Sequence, residues 1–285
     1  MELFLDCMPC MHRQVLEAAR TATTDEATQA RIMDRAALTL ARRAEFASAP
    51  AMAQAMHAIV RSETGVADPY AAVKRRDLDA ALGLEPLLRR FADAADDPLR
   101  AALKVAATGN VMDSAIYADL DIAACVTEEL ERPFARCDLA ELTADLASAR
   151  LVLVLGDNTG ETVFDKVLLA ALAAAGRELV YAVREAPIIN DATLAEAHEA
   201  GVDALATLVS SGSRAPGTIL EDCTPEFRAL FRDADVVISK GQGNFESLST
   251  PGRPVYFLLK AKCALVAGRL GTEVGDYVLI RRDIG

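Results

Sequence analysis

Tryptophan is absent from this chain of 285 residues, histidine occurs three times, and aromatic residues make up 5%. His12, His57 and His198 are widely spread, so neither a histidine-rich zinc site nor a Ser-His-Asp triad is easily assembled. No stretch reaches the roughly 18 uncharged apolar residues that a membrane-spanning helix needs. Met1-Glu-Leu-Phe-Leu-Asp6 carries no basic segment and no long apolar core. It therefore does not read as a signal peptide, and a cytoplasmic location is expected. An excess of positive charge is also missing: the net charge is −12 and the isoelectric point about 4.8. That argues against nucleic acid and against a membrane surface as partners. A small phosphorylated metabolite stays compatible, because a bound cation and one lysine can reverse the local field. Charge and composition specify no oligomeric state.

What is present divides into two patterns. Residues 1–150 are rich in alanine and read as a helical region, with helical spacing over about 1–25, 24–47, 50–63, 70–92, 96–108, 111–120 and 138–149. Residues 151–285 alternate between short runs of β-formers and helical patterns. Strands are expected at 151–156, 178–183, 204–209, 235–239, 254–259 and 277–281, with helices between them. The expected fold class is α/β: a helical N-terminal region packed on a Rossmann-like, mostly parallel sheet with helices on both faces.

The stretch Leu151-Val-Leu-Val-Leu-Gly-Asp157-Asn158-Thr-Gly-Glu161 organises the rest. Its apolar run reads as a strand buried on both faces, and Glu161 opens a helix. Asp157 and Asn158 thus sit at the carboxyl edge of the sheet, where ligands bind in open α/β folds. Asp and an Asn carbonyl are hard oxygen ligands suited to Mg²⁺ or Mn²⁺, although either could merely cap the helix. Three further polar loops follow strands: Asn190-Asp191, Ser210-Ser211-Gly212-Ser213 and Lys240-Gly241-Gln242-Gly243-Asn244. By chemistry, Asp157, Asn158 and Asp191 offer ligands for one divalent cation. Lys240 offers a point charge for phosphate, and Ser211, Gly212, Gly241, Gly243 and Asn244 offer donors around it. Asp-x-Asp, expected of a covalent aspartyl-phosphatase, is replaced here by Asp157-Asn158-Thr159, which favours attack by an activated water. Gly109-Asn110-x-x-Asp113 interrupts the helical region and reads as a substrate-contacting loop or a helix break. Cys7-x-x-Cys10 supplies half of a tetrahedral metal site, and no second such pair exists.

These motifs together resemble the damage-control metal-dependent phosphatases of the ARMT-like family, in its stand-alone prokaryotic branch. The resemblance rests on Cys7-Met-Pro-Cys10, Gly109-Asn110-x-x-Asp113, Gly156-Asp157-Asn158-x-Gly160-Glu161-x-x-Phe-Asp165, Ile189-Asn190-Asp191-Ala-Thr193, Ser239-Lys240-Gly241-Gln-Gly243-Asn244-Phe-Glu246 and Leu258-Leu-Lys260-Ala-Lys262-Cys263. It implies hydrolysis of phosphate monoesters, often sugar phosphates or damaged phosphometabolites. It also implies one divalent metal ion (Mn²⁺, Mg²⁺, Co²⁺ or Ni²⁺) on Asp157, Asn158 and Asp191. Lys240 matches the phosphate-binding lysine and Glu161 an acidic residue beside the metal. In the expected mechanism Asp157, Asp191, Glu161 and Lys240 are catalytic, while Asn110 and Asp113 contact the leaving group. The alternatives are a non-catalytic phosphometabolite-binding protein and an S-adenosylmethionine-dependent carboxyl methyltransferase; the lack of a glycine-rich loop after the first strand counts against the latter.

Overall fold

The computed structural model describes residues 1, 3–113, 122–248 and 252–283, with the side chains of Met112 and Asp113 outside that description. The chain opens with helices α1 (Cys7–Ala22), α2 (Glu26–Ala41), α3 (Ala49–Thr64), α4 (Ala71–Asp93) and α5 (Pro98–Thr108). Side chains of Asp25, Ser48 and Asp97 accept from backbone N–H groups in the first turns of α2, α3 and α5, which satisfies donors that a helix leaves open. A 3₁₀ turn over Gly109–Asp113 follows, then α6 (Ile122–Glu131), β1 (Phe134–Cys137) and α7 (Leu139–Leu146). The helical reading of 111–120 falls mostly outside the described residues.

Alternation then begins: β2 (Leu151–Leu155), α8 (Glu161–Ala173), β3 (Glu178–Val183), α9 (Leu194–Glu199), β4 (Thr207–Ser210), α10 (Pro225–Asp233), β5 (Val236–Lys240), α11 (Gly241–Ser247), β6 (Val255–Lys260), α12 (Ala264–Leu270) and β7 (Tyr277–Arg282). The seven strands form one sheet in the order β1-β7-β6-β5-β2-β3-β4. β2 through β6 run parallel, as the β-α alternation implies. The chain steps outward from β2 to β4 and returns to place β5 on the other side of β2. The switch point therefore lies between the carboxyl ends of β2 and β5, where a crevice opens.

Alternate residues of the strands feed two cores, as the period of a strand requires. Val152, Val154, Tyr181, Ile238, Tyr256 and Leu279 pack under helices α4 to α9. Leu153, Leu155, Ala182, Val237, Phe257 and Ile280 pack under α10, α11 and α12. A third cluster joins α1, α2 and α3 through Val15, Ile32, Met52 and Met56.

Two features differ from the sequence reading, and the antiparallel β7 adds to its mostly parallel sheet. The region read as helical through residue 150 contributes β1, a strand of four residues at the sheet edge with its two middle residues exposed; it has no apolar alternation to detect. β7 runs antiparallel to β6. The excursion through α12 closes on itself, since Gly275 N donates to Ala261 O (2.7 Å) and Ala261 N donates to Asp276 O (2.9 Å). The chain thus re-enters the sheet beside the point where it left, and the strand must run back. Finally, α11 forms directly after β5 although glycine, asparagine and serine fill most of it and are poor helix formers. The Asn244 amide holds it, donating to Lys240 O (2.8 Å) and to Gly156 O (3.0 Å).

Candidate active site

At the carboxyl ends of β2 and β3 the backbone itself brings the polar loops together. Ala192 N donates to Asp157 O (2.8 Å), Thr159 N to Asn190 O (2.8 Å) and Arg184 N to Ala192 O (3.0 Å). Asn158 and Asp191 consequently pair in an isolated antiparallel bridge. Ile189 is held at φ 47 within this loop, a left-handed conformation that a β-branched residue adopts only under constraint.

The side chains form two linked groups. Arg184, at the end of β3, donates from Nε to Asp191 Oδ2 (2.7 Å) and from Nη2 to Asp157 Oδ1 (3.3 Å). Its Nη1 donates to Asn244 Oδ1 (3.0 Å) and to Thr218 Oγ1 (3.2 Å). Glu161 centres the second group. Its Oε1 accepts from Asn110 Nδ2 (3.0 Å) and Asn158 Nδ2 (3.3 Å), and its Oε2 accepts from Lys240 Nζ (2.9 Å). Lys240 also donates to Asp165 Oδ1 (2.7 Å), and Asp165 Oδ2 accepts from Tyr181 OH (2.7 Å). Asp157, Asn158, Glu161, Asp165, Arg184, Asp191 and Lys240 are all buried.

Burial sets the electrostatics. It raises the Asp157 carboxyl well above the carboxylate range, reinforced by Asp191 and Glu161 nearby and opposed by Arg184. It raises Asp165 as well, against the attraction of Lys240. For Lys240, burial pulls the ammonium down, but Asp165 and Glu161 outweigh it and hold the group above its ordinary value. Lys240 therefore stays charged, with two of its three N–H donors taken by carboxylates.

The glycines at this edge are there for space. A Cβ on Gly241, which has φ +76, would collide with Asp157 Oδ2, and one on Gly243 would collide with Pro216 O. Gly243 thereby lets the 211–217 loop lie against α11. In that loop Ser211 Oγ accepts from Ser213 N (3.2 Å) and Gly212 turns the chain at φ +85. The Asn244 amide is spent on the latch described above, and the side chain of Asp113 lies outside the described residues.

Sequence reasoning thus named Asp157, Asn158, Glu161, Asp191, Lys240 and Asn110, which the fold brings together. It passed over the structural weight of Arg184, Asp165, Tyr181 and Thr218. Arg184 had a signal, since it directly follows an expected strand. Asp165 had one too, four residues from Glu161 on one helix face. Tyr181 and Thr218 had none.

Whether a divalent cation suits this centre is answered by its charge. Four buried carboxylates (Asp157, Glu161, Asp165, Asp191) face two buried cations (Arg184, Lys240), with Lys262 also acting on Asp157; carboxyls outnumber cations in the buried set, and the raised Asp157 and Asp165 are the response to that burial and crowding. The Asn158 amide donates its N–H to Glu161, which leaves its carbonyl oxygen to act as an acceptor, and its backbone bridges that of Asp191. Among the described residues no group of three or more His, Cys, Asp or Glu side chains is placed to hold a metal; the candidate set is two carboxylates and one amide. The residues present fit a hard cation. All six cysteines are free thiols.

The fold and this site define a Rossmann-like α/β protein with a buried acid–lysine centre at its switch point. The same fold is found in the crystal structure of a DUF89 family protein from Pyrococcus horikoshii, with a TM-score of 0.90, 32% identity and 99% of each chain covered. A protein of Archaeoglobus fulgidus named damage-control phosphatase is 33% identical, over 95% of this chain and 96% of that one. An uncharacterized protein of Methanocaldococcus jannaschii is 34% identical, over 97% and 94%. The damage-control phosphatase ARMT1-like domain matches residues 3–278, and the chain belongs to that family.

Proposed function

We propose that the protein is a metal-dependent phosphomonoesterase, a hydrolase of small phosphorylated metabolites such as sugar phosphates or damaged phosphometabolites. One divalent cation (Mn²⁺, Mg²⁺, Co²⁺ or Ni²⁺) is held by Asp157, Asn158 and Asp191. The observation that carries this reading is the meeting of two buried carboxylates, Asp157 and Asp191, with a buried, charged lysine at the switch point of the sheet. A divalent cation would relieve the repulsion between the two carboxylates and let both ionise, and the lysine beside them offers a charge to a phosphate.

When bound, the cation would supply Lewis acidity toward the phosphoryl oxygens and toward water. The chain's own residues do the rest. Lys240 offers its ammonium to a phosphoryl oxygen and stabilises charge that grows in the transition state. Glu161 fixes Lys240, Asn158 and Asn110 in one frame, and either Glu161 or Asp191 orients the attacking water. Asn110 and Asp113 contact the leaving group, while Gly241 and Gly243 let backbone N–H groups approach the phosphate. Among the described residues no helix is long and apolar enough to cross a membrane, and a cytoplasmic role in metabolite housekeeping agrees with the chain's acidic charge.

The test is hydrolysis of p-nitrophenyl phosphate by chelator-stripped protein, with each metal added singly and with Asp157→Ala alongside. Activity restored by metal in the native chain and missing from the variant is expected. Folded protein that binds phosphometabolites but turns none over with any metal would replace this reading by that of a binding protein.

A further inference from the structure

Arg184 holds a place in the centre that neither phosphate binding nor proton transfer explains. Its guanidinium is nearly inaccessible, at 2% exposure. One edge, Nε and Nη2, faces Asp191 and Asp157. The opposite nitrogen, Nη1, faces two neutral oxygens, Thr218 Oγ1 and Asn244 Oδ1. Those neutral partners are themselves fixed. Thr218 Oγ1 donates to Asn244 Oδ1 (2.8 Å), and Asn244 Nδ2 is tied to the ends of β2 and β5 through Gly156 O and Lys240 O. The plane of the guanidinium is therefore set by the sheet. In turn it dictates where one oxygen of each carboxylate lies. Two buried carboxylates left to themselves would repel and swing apart. A rigid fork that grips one oxygen from each sets their separation.

We propose that Arg184 is a positioning residue: it presets Asp157 and Asp191 as a pair of cation ligands. This rests on the metal-dependent reading above. The bland alternative is that Arg184 only neutralises buried charge. Arg184→Lys separates the two, because a lysine keeps the charge and loses the planar fork.

The experiment is calorimetric titration of Mn²⁺ into chelator-stripped native protein, Arg184→Lys and Thr218→Val. Each is also assayed at saturating Mn²⁺ for competitive inhibition by inorganic phosphate. Arg184→Lys is expected to weaken Mn²⁺ binding by roughly 10- to 100-fold, the range seen when a group that orients a ligand is lost. Thr218→Val, which removes one neutral anchor and leaves the guanidinium, is expected to weaken it by roughly fivefold. Phosphate inhibition should be unchanged in both. Native Mn²⁺ affinity in Arg184→Lys would overturn the proposal while leaving the phosphatase reading intact. Weaker phosphate inhibition at unchanged Mn²⁺ affinity would make Arg184 a substrate contact instead. No binding of Mn²⁺, Mg²⁺, Co²⁺ or Ni²⁺ by the native protein, each titrated in turn, would overturn both readings. If Arg184→Lys does not fold, Thr218→Val decides: native Mn²⁺ affinity there overturns the proposal.

Discussion

Lys240→Met is the sharpest single perturbation of the centre. The lysine lies at 1% exposure between Glu161 and Asp165, 2.9 and 2.7 Å away. Methionine fills much of the same volume, so the change removes a charge more than it opens a cavity. Taking one partner from a buried ion pair costs about 3–5 kcal/mol, because the other partner stays buried and uncompensated. The unfolding entropy of globular chains is about 2.1 cal/mol/K per residue. For 285 residues this gives about 0.6 kcal/mol per degree. The melting temperature should therefore fall by about 5–8 °C. The pH dependence has a definite sign. Asp165 already has a raised carboxyl pKa from burial, and without the ammonium it rises further. A group raised in the folded state favours folding at low pH and loses that contribution as pH climbs through its folded value. The deficit of the variant should thus be larger at pH 8 than at pH 5.5. The assay is thermal denaturation followed by circular dichroism, in chelator, at both pH values. Asp165→Asn added to Lys240→Met should recover part of the loss. A deficit below about 2 °C would refute the buried-network argument, as would a deficit that grows on acidification.

Two other expectations follow from geometry and burial. Gly241→Ala drives a methyl group into Asp157 Oδ2 at φ +76. The backbone strain is about 1–2 kcal/mol, but displacing Asp157 should lower kcat by roughly 100-fold; steady-state kinetics beside a melting curve would separate the two, and near-native kcat would contradict the close approach. Lys104 is buried with no hydrogen-bond partner among the described residues, its Nζ 3.3 Å from the Tyr277 ring centre, and burial lowers its pKa to about 7. Between that value and the ordinary lysine value the unfolded chain binds more protons, so this group's contribution to stability rises with pH. Lys104→Met should accordingly melt above the native protein near pH 6.5, with the gap closing toward pH 10; a gap independent of pH would remove the explanation.

Some of this protein was readable along the chain because it depends on local period and spacing. Unbroken β-formers at Leu151–Leu155 announced a central parallel strand, and the alternation after it announced the layers on either side. Asp157, Asn158 and Glu161 lie within one turn of each other in sequence, so a single strand-to-helix junction brings them together. Lys240 could be placed at the same edge because it ends another strand. The rest depended on which strands are neighbours. Lys240 meets Glu161 across 79 residues and Arg184 meets Asp157 across 27, and no local pattern encodes either meeting. β7 turns antiparallel because a closed excursion returns it to Ala261, and α11 is helical because Asn244 reaches the ends of two strands. Periodicity states which face of an element is buried. Only the completed sheet, by bringing β2, β3 and β5 side by side, decided that two arginine-linked carboxylates and a lysine-bridged acid pair would share one buried centre.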